Sequence, residues 1–255
     1  YIQWRLCLDD QKISYFKSTI FFILSLISTV FAMKTKENAF TIPLVILIYE
    51  FFFFSGRMKT RVLRLIPWLL FMAIIPLTII TGTDRPIGEM IKLLDPFLYA
   101  RGELSKEVNL FTQLRVILTY IRLLFLPIHQ NLDYDYPIYH SFFIPQVFLS
   151  FLFHLVVIGL ALYLFYRSRS TIPDLRLISF GIFWFFITLS VESIIIATVI
   201  VIFEYRVYLP SIGWVMAIMT SAWIALEKLK PRFTGLKKKV ILFFGHMGPH
   251  KGLPV

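Results

Sequence analysis

The chain has 255 residues, of which 58% are hydrophobic and only 16% are charged. A soluble domain of this size cannot bury so much apolar surface, which excludes the ordinary soluble globular classes. We attribute the formal net charge of +11 to membrane orientation and expect no nucleic-acid partner, because Lys and Arg concentrate in the cytoplasmic loops of membrane proteins. The single cysteine, Cys7, permits no intrachain disulfide and matches no zinc-ligand spacing.

Long apolar runs predict an all-α fold, a polytopic membrane helix bundle, because about 20 such residues are needed to cross the hydrocarbon as a helix. We predict a cytoplasmic loop over 1–17, a membrane domain over 18–226 and a basic cytoplasmic tail over 227–255. The chain begins at Tyr1 and shows no signal peptide, so we expect it to be a fragment. The predicted spans are 18–33, 39–54, 62–81, 143–166, 177–201 and 207–226.

Basic residues in the short loops predict the orientation of these spans. Placing the Lys- and Arg-rich loops on the cytoplasmic side leaves the other polar segments together on the opposite face. The segment 110–128 is expected to be an interfacial or re-entrant helix, because its apolar stripe lies opposite Arg115, Thr119 and Arg122. A spanning helix whose two arginines face a polar cavity is the alternative. The segments on the non-cytoplasmic face are 35–37, 82–109, 129–142 and 203–211.

Lys36 and Glu37 begin a predicted helix at this face. A lysine there can pair with a phosphate, and the helix N-terminus adds a favourable field. Lys34 is a second candidate donor nearby. A solvated loop between two spans is the alternative interpretation.

Glu192 lies about nine residues inside its predicted span, which is roughly 13 Å deep at ~1.5 Å per residue. A carboxylate at that depth is costly unless it is paired or protonated, and it is therefore a functional candidate. The alternative is a structural partner for Arg206 or Arg122. Glu50, near the cytoplasmic end of its span, can reach that interface and is interpreted as structural.

Glu204 and Arg206 flank Tyr205, and Tyr208 then opens the last span with Pro210 close to the helix start. The planar donor fork of Arg206 suits a phosphate. An ion pair of Arg206 with Glu204 or Glu192 is the alternative.

Asp133 and Asp135 alternate with two tyrosines in a loop that lacks basic residues. Such a pattern can bind a cation or sugar hydroxyls, and a plain solvated turn is the alternative. Two carboxylates without further ligands are a weak metal signal, so we predict no metal site.

Separated motifs in the chain resemble one known family. They are AMKTKENAFTIP at 32–43, LDYDYP at 132–137, Glu192-Ser193, and FEYRVYLPSIG at 203–213. The likeness covers most of 18–226, and its specificity lies in the combination. These motifs resemble the membrane part of the transmembrane and tetratricopeptide-repeat protein O-mannosyltransferases and their bacterial relatives, which belong to the GT-C glycosyltransferases.

The resemblance implies transfer of a sugar from a polyprenyl-phosphate-linked donor to an acceptor protein or other hydroxyl acceptor on the non-cytoplasmic side. The location it implies is a membrane, with the bacterial plasma membrane favoured over the endoplasmic reticulum. No cofactor is expected, since the lipid-linked sugar is a substrate. The resemblance places the catalytic carboxylate in an external loop that would precede Tyr1. A transporter or flippase of a lipid-linked substrate, or a non-catalytic scaffold, would be the rivals.

Site roles follow from the same resemblance and from the local chemistry. Lys36 and Arg206 are expected to contact the lipid phosphate, with Lys34 as a further donor. The residues expected to support this site are Glu37, Glu192, Glu204 and Tyr208, and those expected to contact the acceptor or the sugar are Asp133 and Asp135.

Overall fold

The computed structural model of the protein describes residues 1–9, 15–74, 106–128, 130–131, 134–168, 174–191, 193 and 201–229. All regular structure in these ranges is helical, which confirms the predicted all-α class. The helices are α1 (Ile2–Asp9), α2 (Tyr15–Thr35), α3 (Ile42–Phe53), α4 (Met58–Phe71), α5 (Lys106–Phe125), α6 (Pro145–Ser168), α7 (Leu175–Ser190) and α8 (Tyr208–Leu229). The 3₁₀ helices Glu37–Thr41 and Glu204–Val207 precede α3 and α8.

Several helices are long and apolar enough to cross a membrane, which indicates a membrane protein. The shorter apolar segments are Asn38–Phe53 and Leu175–Ser190, and they fall in the predicted spans 39–54 and 177–201. The predicted span 62–81 contains part of α4, and its last residues lie outside the described ranges. The four segments of sufficient length and hydropathy are Tyr15–Thr35, Glu107–Phe125, Pro145–Ser168 and Glu204–Glu227.

The N-terminal residues differ from the predicted loop over 1–17, since Ile2–Asp9 forms a helix and α2 begins at Tyr15. Tertiary contacts explain this difference. The rings of Tyr1 and Trp4 lie 4.9 Å and 5.1 Å from the ring of Trp68 in α4, and Arg5 and Cys7 are buried. A helix this short gains its stability from packing rather than from its own sequence, so no local pattern predicts it.

The core of the bundle is the contact of α7 with α8, the most extensive between any two elements. A Cβ on Gly213 would lie 2.5 Å from the carbonyl oxygen of Gly181, and a Cβ on Gly181 would clash with the carbonyl oxygen of Gly213. The two backbones therefore touch where neither helix carries a side chain. On the α6 side of α7, Ser179 Oγ donates to the carbonyl oxygen of Ala161 at 2.6 Å.

Helix directions give the bundle two distinct ends. Both α6 and α8 run antiparallel to α7. In α8, Gly213 faces Gly181, and the earlier residue Leu209 accepts a bond of 3.0 Å from the later residue Trp184. In α6, Ala161 faces Ser179, and the earlier residue His154 packs on the later residue Phe186. The helix α3 also runs antiparallel to α7. Near the end of α3, the Phe52 carbonyl oxygen accepts a bond of 3.1 Å from Arg176 at the start of α7, and just before α3, Lys36 lies beside Tyr205, which just precedes α8. We call the end where α3, α6 and α8 begin the site end.

The opposite end contains a buried ion cluster around Glu50, which is fully buried rather than reaching the interface. Arg5 Nε lies 3.2 Å from Glu50 Oε2, Arg61 Nε lies 3.6 Å from Oε1, and the Tyr1 hydroxyl donates to Oε2 at 2.6 Å. Since a buried carboxylate requires such partners, the cluster joins α1, α3 and α4. This geometry agrees with a structural role for Glu50.

The helix α5 buries polar side chains in its first half and mainly apolar ones in its second half. Asn109, Thr112 and Gln113 are buried in the first half. The core cluster in the second half contains Val116, Ile117, Tyr120 and Ile121, of which Ile117 and Ile121 belong to the predicted apolar stripe. Phe111 packs on Phe142 just before α6, and the Tyr120 hydroxyl meets the segment just before α8. Both halves of α5 thus contact the site end, although its length and hydropathy also suit a crossing. Its interfacial or re-entrant orientation stays a prediction.

Candidate functional site

The segment 201–203 is held by side chains of α5. Gln113 Nε2 donates to the carbonyl oxygen of Val201 at 2.9 Å, and the backbone N–H of Phe203 donates to the Tyr120 hydroxyl at 2.9 Å. Because an extended segment makes no internal backbone ladder, these bonds satisfy polar groups that would otherwise be costly to bury. They set where the following 3₁₀ helix, Glu204–Val207, begins.

Arg206 is buried in that 3₁₀ helix, with 4% of its surface exposed. Its Nη1 donates to the carbonyl oxygen of Val201 at 3.4 Å, so Arg206 shares this acceptor with Gln113. Its Cζ lies 5.0 Å from the centroid of the Phe203 ring, within cation–π range. A cationic charge is thus fixed just below the surface of the site end.

Lys36 is distant from this segment in the sequence but lies close to it in the structure. It is an exposed residue with extended backbone between α2 and the 3₁₀ helix Glu37–Thr41. Its Nζ lies 5.3 Å from the centroid of the Tyr205 ring, and that ring lies 5.2 Å from the ring of Phe203. Lys36 and Arg206 therefore lie beside the two rings of one aromatic pair, Phe203 and Tyr205, which we call the ring pair.

Glu204 is held by partners other than the predicted arginine. Its Oε1 accepts a bond from the Tyr134 hydroxyl and another, at 3.0 Å, from the Asn131 backbone N–H. Among the described residues no ion pair joins Glu204 to Arg206. Burial, together with the bond to Glu204, raises the pKa of the Tyr134 phenol, so Tyr134 remains a donor at neutral pH.

A cavity of about 400 Å³ opens beside the ring pair. Aromatic rings, carboxamides and one carboxylate form its wall, which is a mixed apolar and hydrogen-bonding surface. Pockets of about 300–1,000 Å³ with this mixture are typical of small-molecule sites. The lining residues are Gln130, Asn131, Phe203, Glu204 and Tyr205.

The other predicted site residues are distributed as follows. Lys34 is exposed in the last turn of α2, and Tyr208 is 81% exposed at the start of α8. Asp135 is exposed and is not one of the described residues that line the cavity. Asp133 and Glu192 lie outside the described residues, as does the side chain of Glu37. Within the described ranges, no three His, Cys, Asp or Glu side chains form a group that could hold a metal ion.

Residues that the sequence interpretation did not single out complete the site. Gln113 and Tyr120 position the segment 201–203, while Gln130 and Asn131 line the cavity. A signal for Gln113 was present. Polar residues at positions 109, 112 and 113 recur with helical spacing on one face of α5, which indicates a polar buried stripe. Nothing in the sequence indicates that residues 130 and 131 meet residue 204.

No protein-family model matches this chain, and the searches of curated proteins and of solved structures find no match either.

Proposed function

We propose that this chain is the membrane domain of a GT-C-type glycosyltransferase that transfers a sugar from a polyprenyl-phosphate-linked donor to a hydroxyl acceptor. One observation carries the proposal. Lys36 and Arg206, which belong to separate motifs of the sequence, lie at one ring pair at the end where α3 and α8 begin. Two cations beside an open cavity suit a phosphate that carries a sugar.

The two cations have different roles in this proposal. Lys36 is exposed, so its ammonium group would bind the phosphate directly. Arg206 is buried and held by the Val201 carbonyl oxygen, so it would act mainly through its field, which reaches further where water is excluded. This assignment refines the expectation that both residues contact the phosphate.

In the proposed transfer, the oxygen of the acceptor hydroxyl forms a bond to the anomeric carbon of the sugar. The bond from that carbon to the phosphate oxygen breaks, and polyprenyl phosphate leaves with the electron pair. The hydroxyl proton passes to a carboxylate, which the resembled family carries in an external loop. Positive charge near the phosphate stabilises the negative charge that develops on the leaving oxygen.

The test uses the protein in lipid nanodiscs, with labelled polyprenyl-phosphate hexoses and an acceptor peptide rich in Ser and Thr. Lys36→Ala should lower kcat/KM by about ten- to hundredfold, because a charge-assisted hydrogen bond is worth about 1.5–3 kcal/mol. Arg206→Ala should lower it similarly, and Arg206→Lys should restore part of the loss because the charge remains.

Lys17→Ala is the matched control, since Lys17 is an exposed lysine near the other end of α2. Unchanged transfer in both Lys36→Ala and Arg206→Ala would contradict the proposal. Movement of labelled lipid across the bilayer without a glycosylated product would identify a flippase instead.

A further inference from the structure

The cavity beside the ring pair differs in polarity and charge from the positions of Lys36 and Arg206. The described residues of its wall contribute two aromatic rings, two carboxamides and a carboxylate, and none of them is basic. We propose that this cavity holds the uncharged hexosyl group of the donor, with Glu204 as its principal hydrogen-bond acceptor. This inference rests on the proposed function and adds which residues recognise the sugar.

The ring pair gives the cavity an apolar face. The rings of Phe203 and Tyr205 are tilted by 33° to each other, and Tyr205 is 60% exposed. An exposed aromatic face is an energetically favourable contact for the C–H groups of a sugar ring, since both surfaces are apolar.

Glu204 gives the cavity a fixed acceptor. Both hydrogen bonds that its carboxylate accepts from described residues, those of Tyr134 and Asn131, go to Oε1, and none goes to Oε2. The carboxylate is therefore oriented by its neighbours while one oxygen keeps its accepting capacity. Sugar hydroxyls are donors, and the carboxamides of Gln130 and Asn131 can both donate to them and accept from them.

Charge separates the place of the sugar from that of the phosphate. A phosphate inside the cavity would meet the negative carboxylate of Glu204, whereas at Lys36 it would meet a cation. Tyr205 lies at both the phosphate position and the sugar position, because Lys36 Nζ lies over its ring and Tyr205 also lines the cavity. A phosphate at Lys36 would thus have its attached sugar directed past Tyr205 into the cavity.

The test compares two probes on the full-length protein in nanodiscs, polyprenyl phosphate and polyprenyl-phosphate mannose. Glu204→Gln keeps the side-chain shape but makes a weaker acceptor, so it should weaken binding of the sugar-bearing lipid by about tenfold. Binding of the sugar-free lipid should stay the same or tighten, because a negative charge has been removed. Gln130→Ala, at an exposed position, should also weaken only the sugar-bearing lipid.

Phe143→Leu is the control, since Phe143 is an exposed aromatic residue outside the cavity. Lys36→Ala should weaken both lipids. If the unmodified protein binds neither lipid, the proposed function fails and this inference fails with it. A different result would contradict only the sugar subsite. In that case both lipids bind and Lys36→Ala weakens both, but Glu204→Gln and Gln130→Ala do not selectively weaken binding of the sugar-bearing lipid.

Discussion

Gln113 and Arg206 donate to the same acceptor, the carbonyl oxygen of Val201, at 2.9 Å and 3.4 Å. One side chain comes from α5 and the other from the 3₁₀ helix that follows Val201. Helix α5 thereby fixes the position of the buried cation and, through Tyr120 and Phe203, that of the ring pair. The site depends on α5 although no predicted phosphate ligand lies in that helix.

The first prediction concerns this link. Gln113→Ala should lower stability by about 1–3 kcal/mol, because the buried Val201 carbonyl oxygen loses its shorter hydrogen bond. Lipid-phosphate binding should weaken as Arg206 loses its fixed position. Thermal unfolding in detergent and binding of polyprenyl phosphate measure the two effects. Leu110→Ala, at an exposed position of the same helix, is the control and should change neither.

The second prediction concerns the contact between α7 and α8. Gly213→Ala should destabilise the bundle by about 1–3 kcal/mol, because the added methyl group forces two packed backbones apart. A drop of about 2–4 °C per kcal/mol in the unfolding temperature is expected for a chain of this size. Gly159→Ala is the matched control, since nothing lies within 4 Å of a Cβ at that position. Equal stability of the two variants would contradict the close contact.

The third prediction concerns the ion cluster at the opposite end. Glu50→Ala should cost about 3–5 kcal/mol, because it leaves the buried guanidinium of Arg5 without its carboxylate. Glu107→Ala, which removes an exposed carboxylate of α5, should have little effect. Thermal unfolding of the detergent-solubilised protein measures this loss of stability. Tolerance of Glu50→Ala would show that the cluster is not a structural link.

The fourth prediction concerns pH. Burial and the bond to Glu204 raise the pKa of Tyr134 above its ordinary value of 10.0. A raised folded-state pKa means that the contribution of this bond to stability is complete below pH 10.0 and is lost as the pH rises through the folded-state pKa. In Glu204→Gln, Tyr134 should ionise at a lower pH than in the unmodified protein.

The ultraviolet absorbance of the phenolate, taken as the difference between each protein and its Tyr134→Phe partner, isolates this residue, since the partner differs only in lacking the Tyr134 hydroxyl. Tyr205→Phe serves as a control because Tyr205 donates no described hydrogen bond to Glu204. An ionisation of Tyr134 that is unaffected by Glu204→Gln would contradict the assigned bond.

Much of the fold was accessible from the amino-acid sequence. The apolar runs that form α2, α6 and α8 were predicted close to their observed bounds. Length and hydropathy are local properties of the sequence, and they decide whether a helix can cross the hydrocarbon. The burial of polar side chains of α5 and the helix α1 were not predicted. Both depend on partners elsewhere, such as Val201 for Gln113 and Trp68 for Tyr1.

The candidate site divides in the same way. Lys36, Glu204 and Arg206 could be named from the sequence, because charged residues between apolar runs are expected at the faces of the membrane. The contacts that these residues make could not be predicted from the sequence. Sequence reasoning offered Glu204 as a partner of Arg206, whereas the carboxylate is bound to Tyr134 and Asn131.

Hydropathy thus establishes that the chain is an all-helical membrane protein with charged groups at the ends of its apolar segments. Which of those groups meet depends on how the helices pack. The contact of Gly181 with Gly213 sets how closely α7 approaches α8, and α5 supplies the bonds that hold the segment leading into α8. Contacts between distant residues follow from side-chain shape and helix rotation, and a one-dimensional pattern of polarity does not encode these quantities.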